Sequence, residues 1–280
     1  MSFKDRSLRM RRNALASIFE AGSGHPGGAL SCIDLINFIC CENYSKLSNS
    51  KFILSKGHAA PALYAAAVEN KWIEFKSLST LRKINSPLQG HPSISQTPWA
   101  EASTGSLGQG FSVSIGMAMG FKHQKINTLV FTLLGDGEIQ EGEIWEGAMC
   151  AAHHQLDNLC AIIDYNKLQS DDKNENIIKL EPLKNKWESF NWKVIEIDGH
   201  DFDQIKKAID EVYTNKTKPL IIIANTVKGK GVSYMENIPS WHGSVKIRPE
   251  EFEIALRELQ TPEKKIKSFL NGKIWSELND

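Results

Sequence analysis

Residues 128–137 read TLVFTLLGDG and residues 159–166 read LCAIIDYN. Each stretch is a short, continuously apolar run, which is typical of a strand buried on both faces. The first run ends in Gly-Asp-Gly and the second ends in Asn166. Further runs of this kind lie at 194–197 and 219–227, and helical segments separate the runs. The sequence therefore predicts an α/β fold in which a parallel β-sheet is flanked by helices on both faces.

The chain before residue 128 has a different pattern. Apolar residues at helical spacing predict four helices, at 6–21, 31–41, 59–70 and 108–123. Loops that contain glycine and histidine separate these helices. Later in the chain, Asp201 is expected to cap a helix over 201–213. We expect one domain over residues 1–260, followed by a Lys-rich helical tail over 261–280.

The composition excludes several classes of function. Lys and Arg number 33 and Asp and Glu also number 33, so the sequence does not indicate a nucleic-acid or membrane-surface protein. The five cysteines form no Cys-x-x-Cys pair and are expected to be reduced, packed thiols. No apolar run reaches membrane-spanning length and no signal peptide is evident, so a cytoplasmic location is expected.

Two polar side chains follow neighbouring strands at the edge where ligands bind in open parallel sheets. Asp136 offers a carboxylate oxygen and Asn166 offers an amide oxygen. The 28 residues between Gly137 and Asn166 are enough for one helix and one strand, so the two oxygens should lie side by side. Magnesium prefers oxygen ligands and takes only a few of them from protein. Gly-Asp-Gly alone is more often a plain turn, but its spacing from Asn166 favours a metal-diphosphate site.

Several segments around these residues have further motifs, each with its own glycine, histidine or tryptophan positions. They are GDGEIQEGEIWEGAM (135–149), LDNLCAIIDYNKLQ (156–169), SGHPGG (23–28), LSKGHAAPALYA (54–65), GHP (90–92), STGSLGQG (103–110), EPLKNKW (181–187), IDGHD (197–201), TVKGKG (226–231) and WHG (241–243). In this order and without large gaps, they closely resemble the transketolase family from about residue 10 to 255.

This resemblance implies thiamine diphosphate as cofactor, with Mg²⁺ or, in its place, Ca²⁺ or Mn²⁺. It implies metal ligation by Asp136, Asn166 and the carbonyl of Leu168. It assigns cofactor contacts to His58, Gly105, Ser106, Leu107, Gly135, Asp136, Gly137, Glu138, Asn166, Lys228 and His242. It assigns catalytic contacts with the donor sugar to His25, His91 and His242, and it places Glu141 near the dimer contact. Taken singly, each of these histidines would more often be structural, and Lys228 would be a solvated lysine.

The resemblance also implies a missing half. Transketolases activate the cofactor with a glutamate from a pyrimidine-binding domain that follows the present one, and that domain is absent from these 280 residues. We therefore expect a partner chain that carries the pyrimidine-binding and C-terminal domains, an α2β2 heterotetramer, and a sugar or sugar phosphate substrate. No nucleic acid or membrane partner is expected. The expected reaction transfers a two-carbon ketol unit from a ketose to an aldose.

Alternative functions stay open at this point. One is a related enzyme that uses pyruvate or another ketoacid as donor, as deoxyxylulose phosphate synthase does. Another is a cofactor-binding subunit without catalytic activity. A plain nucleotide-binding fold would need Gly-x-Gly-x-x-Gly after a strand, and none is present. Two residues depart from the family pattern: Trp99 stands where a smaller residue is usual, and Asn191 replaces a glycine.

Overall fold

The computed structural model of the protein describes residues 2–42, 50–243 and 245–277. Five β-strands alternate with helices in this part of the chain. The strands are β1 (Ser50–Leu54), β2 (Leu129–Gly135), β3 (Leu159–Tyr165), β4 (Lys193–Asp198) and β5 (Leu220–Asn225). The α-helices are α1 (Phe3–Ala21), α2 (Pro26–Ile36), α3 (Ala60–Glu69), α4 (Gln109–His123), α5 (Gly142–His153), α6 (Asn174–Ile177), α7 (Leu183–Ser189), α8 (Phe202–Thr214), α9 (Pro249–Glu258) and α10 (Glu263–Leu270).

All five strands pair in parallel in one sheet, in the order β1-β2-β3-β5-β4. In the central pair, Phe131 lies opposite Cys160 and Gly135 lies opposite Asp164. Every residue of β2 and β3 is buried. Strands with continuous apolar sequence are required here because both faces of a parallel sheet are covered by helices. The predicted α/β fold is confirmed.

Alternate residues of the central strands enter two separate cores. Phe131 and Ile162 pack on one face, with buried side chains of α1, α2, α3, α8 and α9. Val130 and Ile163 pack on the other face, with buried side chains of α4, α5 and α7. This division follows from the two-residue period of a strand, which sends neighbouring side chains to opposite faces.

The sequence analysis missed strand β1. Its sequence, SKFIL, has only three consecutive apolar residues, and a run of this length gives a weak strand signal. Only Ile53 and Leu54 are buried, because β1 is an edge strand that pairs with β2 alone. The loop SKGH, at 55–58, therefore follows a strand end and does not merely connect two helices.

Helices α1, α3 and α4 lie close to their predicted bounds, whereas α2 begins five residues earlier than predicted, at Pro26. Its first turn contains Gly27 and Gly28, which are poor helix formers, so propensity argues for a later start. Tertiary packing explains the difference. A Cβ on Gly27 would lie 2.7 Å from the carbonyl oxygen of Trp241, so that only glycine fits between the two segments.

The structure explains two local features of the sequence, which are the cap of α8 and the asparagine before β4. Asp201 caps α8 as predicted, and its side chain accepts hydrogen bonds from the backbone of Asp203 and Gln204. Asn191 has φ of 63°, a left-handed conformation that glycine favours and that asparagine tolerates better than most residues. The Gly-to-Asn departure from the family pattern is therefore compatible with the same backbone.

The C-terminal segment packs onto the main core. Ile266 and Phe269 of α10 and Ile274 after it are buried in the core that also contains α1. The domain division at residue 260 stays a prediction, and residues 278–280 of the predicted tail lie outside the described residues. In the described part of the chain, no helix combines the length and apolar character needed to cross a membrane.

Candidate active site

The loops after β2 and β3 are joined by hydrogen bonds at the carboxyl edge of the sheet. Asp136 accepts from the backbone N–H of Gly137 at 2.8 Å and from that of Lys167 at 2.5 Å. The side-chain oxygen of Asn166 accepts from the backbone N–H of Leu168 at 3.1 Å. Asp136 and Asn166 are both buried. The structure thus brings together the two oxygen-bearing side chains that were predicted to be neighbours.

A cavity of about 200 Å³ opens at this edge of the sheet. It collects residues from five separate connections between helices and strands and from the first turn of α2. Its lining includes ten of the residues predicted to contact the cofactor or the metal: His58, Leu107, Gly135, Asp136, Gly137, Glu138, Asn166, Leu168, Lys228 and His242. Gly105 and Ser106 lie outside this lining, and so do His25 and His91.

Lys228 extends into the cavity from the loop after β5. Its ammonium group donates to the carbonyl oxygen of Leu168 at 2.7 Å and to that of Gln169 at 3.3 Å. The same nitrogen lies 2.7 Å from Nδ1 of His242. Burial lowers the pKa of Lys228, partly offset by the charge of Asp136. Lys228 is therefore a buried cation inside the site, and the solvated-lysine interpretation is wrong.

Four histidines from four loops form a cluster beside this cavity. The ring centroid of His25 lies 5.5 Å from that of His58, 6.3 Å from that of His91 and 5.9 Å from that of His242. The rings of His58 and His242 are 5.2 Å apart. The predicted catalytic histidines are therefore together, with His25 at the centre of the group.

Burial holds these imidazoles in the neutral form. It lowers the pKa of His25 to about 4 and that of His242 to about 3, and neighbouring cations act in the same direction. It also lowers the pKa of His58 and of His91. The positive charge of Arg82 lowers the pKa of His25 and of His91 further. A neutral imidazole has one donor and one acceptor nitrogen, so it can donate one hydrogen bond and accept another.

Glu138 lines the cavity, but its carboxylate is engaged by protein groups. One oxygen accepts from the hydroxyl of Ser55 at 2.5 Å and from the backbone N–H of Gly108 at 3.0 Å. The other accepts from the backbone N–H of Gly135 at 2.9 Å. Glu138 thus ties the ends of β1 and β2 to the start of α4. A contact with a cofactor would come from its backbone.

The glycine-rich turn before α4 lies between two of the histidine loops. Gly105 has φ of 144°, and a Cβ there would lie 3.0 Å from the ring of His91. A Cβ on Gly57, next to His58, would lie 2.8 Å from the backbone nitrogen of Gly105. Gly57 requires glycine because the two backbones approach too closely for a side chain, and Gly105 requires it because its φ is one that residues with a side chain rarely adopt. Ser106, in the same turn, is exposed.

A buried ion pair at the cavity was not predicted from the sequence. The ammonium of Lys56 contacts the carboxylate of Asp164, and both side chains are buried. Asp164 also accepts from the hydroxyls of Ser31 and Thr226, each at 2.5 Å. Burial opposes both charges, yet Asp164 raises the pKa of Lys56 and Lys56 lowers that of Asp164. The usable signal was a charged residue, Asp164, near the end of an otherwise apolar strand, whereas Lys56 gave none because β1 was not predicted.

Trp99 is connected to the site through Tyr64. Its ring packs against Tyr64, with centroids 6.1 Å apart, and against Trp72 at 5.6 Å. The hydroxyl of Tyr64 donates to the carbonyl oxygen of Gln89 at 2.9 Å and lies 3.4 Å from that of His91. Trp99 therefore supports, through Tyr64, the loop that carries His91.

The residues of the cavity fit a metal-bound diphosphate. Asp136, Asn166 and the carbonyl of Leu168 are hard oxygen donors of the kind that Mg²⁺ accepts. His58, Lys228 and His242 are nitrogen groups suited to anionic oxygens. Burial and the nearby charge of Asp164 raise the pKa of Asp136, a penalty that a bound cation would relieve. Within the described residues, no group of three or more His, Cys, Asp or Glu side chains forms a metal cluster, and this site would use a single carboxylate.

Comparison with known proteins identifies relatives of the same length. The chain is 38% identical over 275 residues to one of the subunits of apulose-4-phosphate transketolase from Phocaeicola vulgatus, and the match covers 95% of this chain and 97% of that protein. It is also 38% identical over 258 residues to 6-deoxy-6-sulfo-D-fructose transketolase subunit SqwG of a Clostridium species, and this match covers 90% of this chain and 94% of that protein.

Single-chain transketolases match as well, over part of their length. Human transketolase is 38% identical over 250 residues, and the chain spans 40% of it. The crystal structure of Campylobacter jejuni transketolase superposes with a TM-score of 0.85 at 27% identity, and the match covers 99% of this chain and 48% of that one. Residues 5–259 match the family described as "Transketolase, thiamine diphosphate binding domain". The chain therefore belongs to the transketolase family, and residues 5–259 are its thiamine diphosphate-binding domain.

Proposed function

We propose that this chain is the cofactor-binding subunit of a two-chain transketolase, which transfers a two-carbon ketol unit from a ketose to an aldose. One observation carries the proposal. The cavity at the carboxyl edge of the sheet combines oxygen donors for a metal, nitrogen donors for a diphosphate and an adjoining cluster of neutral histidines. Transketolase subunits of similar length match over almost the whole chain.

In this proposal, Asp136, Asn166 and the carbonyl of Leu168 hold Mg²⁺. His58, Lys228 and His242 bind the diphosphate, together with the backbone of the Gly135–Glu138 turn. Leu107 lines the same cavity and contributes an apolar wall. When bound, thiamine diphosphate supplies the nucleophilic carbon that this chemistry requires.

The proposed role of His25, His91 and His242 is to orient the donor sugar and to move protons. Their rings are close together, and the centroid of His25 lies 5.9 Å from that of His242 and 6.3 Å from that of His91. Because their pKa values are lowered, the rings are neutral near pH 7. His242 accepts from Lys228 through Nδ1, so its Nε2–H can donate a hydrogen bond to a sugar oxygen. His25 and His91 can each donate one hydrogen bond to the sugar and accept another from a sugar hydroxyl.

The proposed partner carries the pyrimidine-binding and C-terminal domains, in an α2β2 assembly. The support comes from the relatives of similar length that are named as transketolase subunits and from the surface of the chain. Val113 on α4 is 42% exposed and Met149 on α5 is 54% exposed. Gly116 and Gly120 leave open space along α4, where a second helix can approach closely. The exposed Glu141, which the family resemblance places near the dimer contact, lies at the rim of the cavity.

The proposed substrates are anionic sugars. The two full-length relatives are named for apulose 4-phosphate and for 6-deoxy-6-sulfo-D-fructose, which have a phosphate and a sulfonate group respectively. Arg82, next to His25 and His91, adds positive charge on the substrate side of the histidine cluster. A ketose donor is favoured over pyruvate because the three histidines match the hydroxyl groups of a sugar.

Isothermal titration calorimetry tests the cofactor and partner assignments. Thiamine diphosphate with Mg²⁺ is titrated into the chain alone and into the chain with its partner chain. We expect tight binding only with the partner, and a loss of that binding in Asp136→Asn. The complex is then assayed with a ketose phosphate and with pyruvate as donors. Folded protein that binds no cofactor in either setting would refute the assignment, and turnover of pyruvate alone would favour the ketoacid enzyme.

A further inference from the structure

The loop that carries Lys228 is anchored at four backbone positions, one of which is the carbonyl oxygen of Lys228 itself, which accepts from the N–H of Asn237 at 2.9 Å. The N–H of Val227 donates to Nε2 of His200 at 2.9 Å. The N–H of Gly229 donates to the carbonyl oxygen of Gly27 at 3.0 Å. The carbonyl oxygen of Lys230 accepts from Nε of Arg11 at 3.1 Å. These anchors lie at Lys228 and on both sides of it. Of the four anchoring groups, only the His200 side chain bonds Val227, the residue immediately before Lys228.

The orientation of the His200 ring is fixed by its second nitrogen. Nδ1 lies 2.8 Å from the carboxylate of Asp34. Because Nε2 accepts the Val227 N–H, the proton of the neutral ring is on Nδ1 and is donated to Asp34. The side chain of His200 is only 12% exposed, so water does not compete freely for either nitrogen.

Asp34 is fixed in turn by Arg11. The guanidinium donates two hydrogen bonds to the carboxylate, at 2.9 and 2.7 Å, and both side chains are buried. Burial alone would raise the pKa of Asp34, but the charge of Arg11 and the hydrogen bonds from His200 and Arg11 hold it below its ordinary value. This bidentate pair has little freedom to rotate, so it provides a rigid base for the imidazole.

We infer that His200 is a positioning residue for Lys228, which sets the loop after β5 so that the ammonium group reaches the diphosphate position of the cavity. The chain of contacts runs from Arg11 through Asp34 and His200 to the backbone of Val227. A lysine side chain is long and flexible, so the placement of its nitrogen depends on its backbone. The inference rests on the proposed function insofar as the ligand is a diphosphate.

Two substitutions of His200 separate its two hydrogen bonds. In H200N, the amide nitrogen replaces Nδ1 and keeps the bond to Asp34, but no acceptor reaches Val227. In H200Q, the amide oxygen replaces Nε2 and keeps the bond to Val227. With the partner chain present, we expect H200N to raise the Kd for thiamine diphosphate about tenfold. We expect H200Q to stay within about threefold of wild type.

A double-mutant cycle with K228M tests whether the effect passes through Lys228. H200N should not raise the Kd further when Lys228 is already methionine. An equal increase in both backgrounds, or no effect of H200N, would overturn the inference. If H200N does not fold, H200Q decides: a Kd near that of wild type supports the inference, and an increase of about tenfold contradicts it.

A second readout needs no cofactor. Trace acetylation of the lysines with acetic anhydride, followed by mass spectrometry, measures the reactivity of each lysine in the folded chain. We expect Lys228 to react several times faster in H200N, while Lys56 keeps its wild-type rate. An unchanged rate at Lys228 would overturn the inference by itself. Failure of the wild-type complex to bind thiamine diphosphate would instead count against the proposed function, because the labelling result stands without the cofactor.

Discussion

Lys56 and Asp164 form an ion pair across the sheet, 108 residues apart in sequence and buried under the candidate cofactor cavity. The ammonium of Lys56 also donates to the carbonyl oxygen of Gly28 at 3.1 Å, and Gly28 lines that cavity. The pair therefore joins the end of β1 to the end of β3 and supports the first turn of α2, which follows His25.

Breaking this pair should destabilise the chain strongly. Lys56→Met leaves the Asp164 carboxylate buried without its cation, and such a change costs about 3–5 kcal/mol. The free energy of unfolding is measured by urea denaturation of the isolated chain. Lys56→Met with Asp164→Leu removes both charges and should recover part of the loss. A cost below about 1 kcal/mol for Lys56→Met would show that the pair is not needed for folding.

Removing the cation in the cavity should weaken cofactor binding. A hydrogen bond to a charged group contributes about 1.5–3 kcal/mol, so Lys228→Met should raise the Kd for thiamine diphosphate roughly 10- to 150-fold in the two-chain complex. Calorimetry provides the measurement. Lys230→Met is the matched control, because Lys230 is partly exposed and pairs at 3.9 Å with Glu236. Equal effects of both substitutions would contradict a specific role for Lys228.

The histidine cluster should make the chain sensitive to acid. The pKa of His25 is about 4 and that of His242 about 3 in the folded protein, against an ordinary value of 6.5. Between these values the unfolded chain binds protons that the folded chain does not, so stability falls as the pH drops from about 6.5 toward 4. The raised pKa of Asp136 acts in the opposite direction above its ordinary value of 3.8.

A paired variant isolates the contribution of the histidines. In His25→Asn with His242→Asn, the Asp136 contribution remains and the two histidine contributions are removed. Between pH 7 and pH 5 we expect the Tm of the wild type to fall at least about 3 °C more than that of the variant, which corresponds to about 1 kcal/mol for a chain of this size. Parallel Tm curves for the two proteins would show that these rings are not held neutral by folding.

Loss of the contacts that support the His91 loop should weaken binding of the sugar substrate more than binding of the cofactor. Tyr64→Phe removes the hydroxyl that donates to Gln89 and approaches His91. Loss of one such bond costs about 1 kcal/mol, so the KM for the ketose donor should rise roughly fivefold while the Kd for thiamine diphosphate is unchanged. Trp99→Phe should produce a smaller change of the same kind. A matching loss of cofactor affinity would point to a general distortion.

The outer face of α4 should be required for assembly but not for folding. A Cβ on Gly116 would meet no described atom within 4 Å outside its own helix, so Gly116→Leu should leave the isolated chain as stable as before, or up to about 1 kcal/mol more stable. Analytical ultracentrifugation with the partner chain should show at least about tenfold weaker association. Lys207→Leu, at an exposed position of α8, is the control. Unchanged assembly of Gly116→Leu would place the interface elsewhere.

The sequence by itself determined the central strands. It also determined that the site lies at one edge of the sheet. The continuous apolar runs of β2, β3 and β5 require burial on both faces, and parallel strands bring their carboxyl ends together. The spacing of Asp136 and Asn166 then places two oxygen donors side by side. These features depend on the local pattern of apolar residues and on the period of a strand, and both can be read from the amino-acid sequence.

Only the tertiary structure decided which charges are buried and what holds them. Lys56, Lys228 and His200 all lie in glycine-containing loops, where lysine and histidine are usually solvated. Their partners come from distant segments: Asp164 for Lys56, Leu168 and His242 for Lys228, and Asp34 for His200. Whether a polar group is paired inside a protein depends on which surfaces pack together, and the local sequence of either partner does not contain that information.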